Sequence, residues 1–218
     1  MDLSASRSPQ PLALLATAAI VGQIMLLASA LILPLVSEFS LIGDNISELV
    51  LGRYGAVQTL AFLVAGATTL GLAYVIRHLT MGTWGSRVGS LLVGVYGVGA
   101  ILVAIFPTDR VDDPADLASL STTGLIHSGV ALASFVCMTV AMVVLTRTLL
   151  LEPRWRVSLS RWIVLFPCAA FSLLFGQSEG PWVGLLQRLL VGVISAWIIV
   201  VASRGRAIAG SGEVGASG

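Results

Sequence analysis

The chain contains no lysine, only two cysteines and two histidines, and 11% charged residues over its 218 positions, where an ordinary soluble domain carries about a quarter. Each shortage excludes a class of protein. Cys137 and Cys168, with no Cys-x-x-Cys pair, rule out a disulfide scaffold and a four-cysteine zinc site. His78 and His127 are not spaced as metal ligands, so the sequence implies no metal and no cofactor. A net charge of +1 offers neither a nucleic-acid footprint nor an acidic interaction tail. Any chemistry must come from carboxylates, histidine and arginine.

What is abundant is apolar. Hydrophobic residues make up 56% of the chain and mean hydropathy is +0.96, gathered into runs near the ~20 residues an α-helix needs to cross a hydrocarbon core. Six runs are legible, 12–36, 55–76, 88–107, 124–146, 159–177 and 182–203. The expected fold is therefore all-α: a polytopic membrane protein, a six-transmembrane-helix bundle over 12–203, with tails at 1–11 and 204–218. The first run follows Arg7 and holds Ala28-Ser29-Ala30, an imitation of a signal-peptide cleavage site, but it is too long for a signal h-region and reads as a helix.

Arginine placement predicts orientation, because excess Lys and Arg stay cytoplasmic. Arg7, Arg77, Arg87, Arg147, Arg154, Arg156, Arg161, Arg204 and Arg206 fall on one side of the six runs. The opposite loops hold only Arg53 and Arg110, beside Glu38, Asp44, Glu48, Asp109, Asp112, Asp113, Asp116 and Glu179. Both termini are expected in the cytoplasm, with the cell membrane as location. Trp84, Trp155 and Trp162 on the inner side and Trp182 on the outer fit interfacial belts.

Several features have plain packing readings. Gly89, Ser90, Gly94, Gly97, Gly99 and Ala100 suit close helix approach. Pro167 is expected to kink the fifth run by freeing the Ile163 carbonyl. Cys137 and Cys168 read as small apolar filling, and His78 as a solvated boundary residue. The glycine pattern from Gly210 to Gly215 has no strand before it, and Asn45-Ile46-Ser47 is a sequon in form only. Asp112-Asp113-Pro114-Ala115-Asp116 copies a magnesium-diphosphate spacing. It also reads as a helix start, with Asp113 as cap and Pro114 at the first position, and that reading is preferred.

What remains is a polar constellation at the outer ends of the runs. Arg188 lies six residues past Trp182, about 9 Å deep at 1.5 Å per residue, where an arginine usually faces the protein interior with a partner. His127 lies one turn into the fourth run. Asp109 follows the helix-stopping Pro107, and Asp44, Asn45, Ser47 and Glu48 sit on a segment whose apolar and polar residues alternate at helical spacing, fit to cap the bundle mouth. Asp44, Asn45, Ser47, Glu48, Asp109, His127 and Arg188 are the candidate binding residues.

These residues carry a resemblance. Ile46-Ser47-Glu48-Leu49, Phe106-Pro107 with Asp109, His127, and Gly180 with Trp182, Gln187-Arg188 and Trp197 resemble the domain of unknown function 998 family. The likeness, over roughly 12–203, implies a six-helix prokaryotic membrane protein. The Ile-Ser segment and the fourth-run histidine are more loosely similar to the Frag1/DRAM/Sfk1 family, which is linked to lipid organisation and autophagy. The first family tends to show Glu-Arg at Gln187-Arg188, so a charge pair between those neighbours is absent here and Arg188 is expected to find its anion in Glu48 or Asp109.

Three functions are open. The first is a binding protein whose outward-facing polar pocket takes a lipid-like, amphiphilic or isoprenoid small molecule; Arg188 and His127 would then suit an anionic headgroup. The second is an intramembrane enzyme, terpene-cyclase-like in its chemistry, with Glu48, Asp109 and His127 as catalytic acid and base groups, since a carboxylate taken out of water keeps its proton more readily. The third is a structural accessory subunit whose polar cluster locks the helices. Membrane lipids are the expected partners, nucleic acid is not, and the sequence is silent on protein partners.

Overall fold

The computed structural model describes residues 10–80, 82–110, 120–156, 161–175 and 180–211. Helix α1 is Gln10–Ile32, continued by a 3-10 turn over Leu33–Val36, and a second 3-10 turn covers Ile46–Leu51. Then come α2 (Gly55–Leu79), α3 (Trp84–Ile105), α4 (Thr122–Leu151), the single-turn α5 (Pro153–Arg156), α6 (Leu165–Phe175) and α7 (Val183–Gly210). Five of these, α1 with its 3-10 extension, α2, α3, α4 and α7, are long and apolar enough to cross a membrane. In hydrocarbon a helix is favoured because it satisfies its own backbone groups. Thr83 and Ser121 complete this at the starts of α3 and α4 by accepting from Ser86 N and Gly124 N at 3.0 and 3.1 Å.

The six predicted runs are thus met by five helices of spanning length and one shorter apolar helix, Leu165–Leu174. The difference centres on Pro167. It stands at the third position of α6, directly after a 3-10 turn over Arg161–Val164. A proline costs least in a first turn, where its missing N–H has no intrahelical acceptor. The expected mid-helix kink is instead a change from 3-10 to α winding. Before this segment Arg154 Nη2 donates to the Leu79 carbonyl at 3.3 Å, and near its end Leu174 lines the same cavity as Glu48 and Asp109.

Around the bundle α1 packs on α2, α2 on α3 and α3 on α4, α7 closes against α1, and α6 is wedged between α4 and α7, which touch each other little. One end carries Glu38, Asp44, Glu48 and Asp109 and the other Arg77, Arg87, Arg147, Arg154 and Arg204; these are called the acidic and arginine ends. Leu14, Leu91, Leu132 and Phe171 are more than half exposed on the flanks. With apolar side chains facing outward as well, small residues hold the helices together. A Cβ on Gly66 would lie 2.6 Å from the Gly97 carbonyl oxygen, so α2 and α3 cross backbone to backbone. Deep in the bundle Gln23 of α1 donates to Thr69 Oγ1 of α2 at 3.1 Å and accepts from Ser195 Oγ of α7 at 2.8 Å. This three-helix ladder sets their relative depth.

Trp155 departs from the expected belt, being wholly buried. The α5 turn tucks its indole toward α7 at Gly205, where a Cβ would lie 3.5 Å from the ring. Trp84 and Trp182 are exposed as expected; the side chain of Trp162 lies outside the described residues. His78 is half-buried against Tyr74, with Nδ1 3.0 Å from the Tyr74 carbonyl. Cys137 and Cys168 are free thiols, Cys168 exposed.

The α2–α3 crossing predicts that Gly66→Ala lowers stability by about 1–3 kcal/mol, read as the thermal midpoint in detergent. Gly192→Ala, where a Cβ meets nothing within 4 Å, should cause no loss.

Candidate functional site

At the acidic end the chain between α1 and α2 is laid along the first turns of α7 by three contacts at alternate residues. The Leu185 N–H, unpaired within its own helix, donates to the Ile42 carbonyl at 2.9 Å. Arg188 Nη1 donates to the Asp44 carbonyl at 2.6 Å. The Ile46 N–H donates to Gln187 Oε1 at 2.6 Å. Gly184 makes this approach possible, because a Cβ there would collide with the Asp44 carbonyl. Arg188 also donates through Nε to the Ala30 carbonyl at 3.1 Å and through Nη1 to its own helix at Gly184, 3.0 Å.

Arg188 is therefore deep, as expected, at 6% exposure, but its partners are carbonyls. Its expected ion pair with Glu48 or Asp109 is not formed; among the described residues the one ion pair is Arg154–Glu152, 3.3 Å, at the other end. The reason is reach and geometry: the end of α1 and the 42–46 segment bring carbonyl oxygens to the guanidinium before any carboxylate arrives. Asp44 is spent nearby, its Oδ2 accepting from Ser40 N at 2.5 Å.

Hanging from this latch, the 3-10 turn Ile46–Leu51 buries Ile46 and Leu49, each 2% exposed. Asn45, Ser47 and Glu48 stay half-buried on its other side. Glu48 Oε1 accepts from the Asn45 N–H and from Asn45 Nδ2, both at 3.0 Å, which is how a capping box holds a turn.

The second wall is built by α4. Asp109 accepts from Ser121 N at 2.6 Å and Ser121 Oγ at 2.9 Å, docking its carboxylate on the start of α4, where the helix dipole favours negative charge. Gly124 admits it, since a Cβ there would strike Asp109 Oδ2. One turn on, His127 is 4% exposed and its Nδ1 lies 2.7 Å from the Phe106 carbonyl. A carbonyl only accepts, so Nδ1 carries the proton.

Between the walls lie two cavities. A polar vestibule of about 360 Å³ is lined by Asn45, Ser47, Glu48, Thr108, Asp109, His127, Ser128 and Gln187, with Leu132, Leu174 and Val183 on its flank. Below it is a closer apolar cavity of about 60 Å³ among Leu26, Phe62, Ala65, Tyr96, Gly99, Ala100, Val103 and Val191. Ser47, His127, Ala131, Phe135 and Gln187 line both.

Of the seven candidate residues, Asn45, Ser47, Glu48, Asp109 and His127 thus converge on the vestibule, while Asp44 and Arg188 are not among its lining residues. Gln187 was missed. Its signal was available, because a glutamine one position from a buried arginine shares the arginine's depth, and its amide oxygen accepts the Ile46 N–H. Gly176-Gln177-Ser178-Glu179-Gly180 also spells Gly-x-Ser-x-Gly, which the sequence reading passes over. It follows a helix rather than the strand that makes such a spacing a nucleophile elbow, and 176–179 lie outside the described residues, as do Asp112-Asp113-Pro114-Ala115-Asp116 and the glycine-rich tail from Gly212 onward.

A family model described as "Protein of unknown function (DUF998)" matches residues 10–204. No curated protein and no solved structure matches the chain.

The latch predicts that Arg188→Ala, which strips donors from the buried Ala30 and Asp44 carbonyls, costs about 2–5 kcal/mol. Arg188→Lys should recover little, since an ammonium does not reproduce the planar fork. Thermal unfolding in detergent measures both.

Proposed function

The chain belongs to the DUF998 family, proteins of unknown function with membrane-spanning helices in this member, and from that premise we propose that it binds an amphiphilic small molecule at its acidic end. The observation that carries the reading is the pair of stacked cavities, one polar and one apolar, sharing Ser47, His127, Ala131, Phe135 and Gln187. A headgroup suits the vestibule and a short apolar portion the cavity beneath. A longer chain would run past Leu132 and Leu174, which line the flank of the vestibule. The combination of an apolar wall and few convergent polar groups is the usual make-up of a small-molecule site.

Binding is favoured over catalysis by what the carboxylates already do. Both Asp109 oxygens are engaged by Ser121, and Glu48 holds Asn45. Asp109 is thus not free in the way a general acid must be to meet a substrate atom, and Glu48 has its Oε1 committed to Asn45.

The arrangement in the membrane follows from connectivity. Since α4 ends and α7 begins at opposite ends of the bundle, the 161–175 stretch supplies a sixth crossing. The arginine end is cytoplasmic by the excess of positive charge, which places both termini inside and the vestibule toward the outer leaflet of the cell membrane. In a background lacking Cys137 and Cys168, Arg53→Cys should react with an impermeant maleimide on intact cells and Arg87→Cys only after permeabilisation; the reverse pattern inverts the topology.

For the binding reading, native mass spectrometry of the purified protein should show a retained amphiphile that Ala131→Trp excludes without lowering the thermal midpoint. Equal occupancy in both proteins would remove the vestibule from consideration and leave the accessory-subunit reading.

A further inference from the structure

We propose that the groove between α2 and α3 at the arginine end binds an anionic phospholipid of the adjoining leaflet, its phosphodiester held by Arg77 and Arg87 and an acyl chain laid along the helices. This site lies at the opposite end of the bundle from the vestibule and stands independently of it. The groove encloses about 550 Å³, with Arg77, Arg87 and Ser90 at its head and Leu70, Ala73, Val95 and Val98 along its length. The register of the α2–α3 hairpin sets the two arginines level. Gly66 opposes Gly97, Leu70 lies beside Gly94 and Thr80 donates to Ser86 at 2.8 Å, and the same antiparallel count puts Arg77 opposite Arg87. From Arg87 to Val98 the groove follows α3 for about 16 Å at 1.5 Å per residue, close to half of a ~30 Å hydrocarbon core and therefore one leaflet deep. Trp84, 73% exposed at the first position of α3, marks the interface one turn from Arg87.

Two observations inside the groove point to this occupant. Arg77 is half-buried and its Nη1 is buried without an acceptor among the described residues, which costs free energy until an acceptor arrives. Arg87 is exposed, and neither arginine has an ion pair among the described residues, where Glu152 is taken by Arg154. No carboxylate lines the groove. Ser90 gives its hydroxyl proton to the Ser86 carbonyl at 2.6 Å, so the two guanidinium groups are the donors on offer, and their planar forks match phosphate oxygens. The second observation is Gly94. Close helix approach explains Gly66 and Gly97, but a Cβ on Gly94 would meet nothing nearer than 3.9 Å. Its missing side chain serves the groove and not the packing, on a face where Leu91, Val95 and Val98 are exposed. A basic head on an apolar trough between membrane helices is the make-up of an anionic-lipid site. A second copy of the chain suits it less, since a two-fold pair would set these same arginines against their equivalents.

The test is native mass spectrometry of the full chain in a nonionic detergent, titrated with dioleoyl phosphatidylglycerol or dioleoyl phosphatidylcholine. The first phosphatidylglycerol should bind at least about tenfold more tightly than the first phosphatidylcholine. Arg77→Gln combined with Arg87→Gln should abolish that ratio and keep the thermal midpoint in lipid-free detergent, since neither arginine has an ion pair to lose. Gly94→Leu, which fills the trough where a Cβ is free to enter, should weaken both lipids with the midpoint retained. Arg147→Gln, an exposed arginine of the same end outside this groove, should keep the tenfold ratio. Equal affinity for the two lipids overturns the proposal. So does a ratio that survives the double substitution, or one that falls equally in Arg147→Gln and so belongs to the whole arginine end. Undiminished binding by Gly94→Leu moves the lipid to another surface and overturns the site. A dimer mass that Gly94→Leu removes would give the groove to a second copy and overturn it as well.

Discussion

A guanidinium buried among helix ends needs acceptors from the protein, and that constraint organises the acidic end of this molecule. Arg188 meets it at Nε and Nη1 with carbonyl oxygens contributed by α1, by the segment before α2 and by α7 itself, while its Nη2 stays buried without a partner. Carbonyls at a helix C-terminus are short of donors, and Ala30 lies at such an end, so cation and helix terminus satisfy each other. One consequence is positional. With Asp44 held by Arg188, Ile42 by Leu185 and Ile46 by Gln187, the turn that follows has nowhere else to go, and Glu48 is delivered opposite His127 and Asp109. The polar face of the vestibule is a product of backbone contacts made several ångströms from it.

The lower cavity has a different origin. Its walls at this level are Ala65 on α2, Gly99 and Ala100 on α3 and Ala131 on α4, small residues that elsewhere let helices touch. Where α2 meets α3 at Gly66 and Gly97 the backbones close completely. The cavity lies at the level of this crossing, where Gly66 faces both Gly97 and Ile101 and Gly99 approaches Ser134, and the small side chains leave space on its inner side. Tyr96 and Phe135, 6.5 Å apart between ring centres, stand at the side and do not plug it. Deeper in the bundle Gln23 joins Thr69 and Ser195, and polar side chains do there what small ones do at the crossing.

Legibility in the sequence followed the range of the physics involved. Helix positions were readable because hydrocarbon thickness imposes a local length, and the depth of Arg188 and His127 was readable because depth is only a count along a helix. Partners were not. A carbonyl oxygen is the same for every residue, so nothing in the letters Ala30 or Asp44 announces an arginine's acceptor, whereas Glu48 and Asp109 announce themselves falsely. Trp155 shows the same gap: its burial depends on Gly205 lying opposite, fifty residues away in sequence. Pro167 was seen as a helix disruptor, but whether it would bend a helix or begin one depends on where the preceding turn lets go.

These two limits bear directly on charge at the vestibule. Counting charged letters near the acidic end gives arginines and carboxylates in the same neighbourhood and suggests a balanced or anion-seeking site. Sorting them by what each already holds gives another answer. Arg188 spends Nε and Nη1 on carbonyls and keeps a buried, unpartnered Nη2, and Arg53 and Arg110 sit over aromatic rings at the rim. Asp109 is engaged through neutral donors from Ser121 and Glu48 through neutral donors from Asn45. Neutral donors orient a carboxylate without cancelling its charge, and Glu48 and Asp109, held that way, line the vestibule, whereas Arg188 lies outside its lining, bound to carbonyls through Nε and Nη1 and with Nη2 buried and unpartnered.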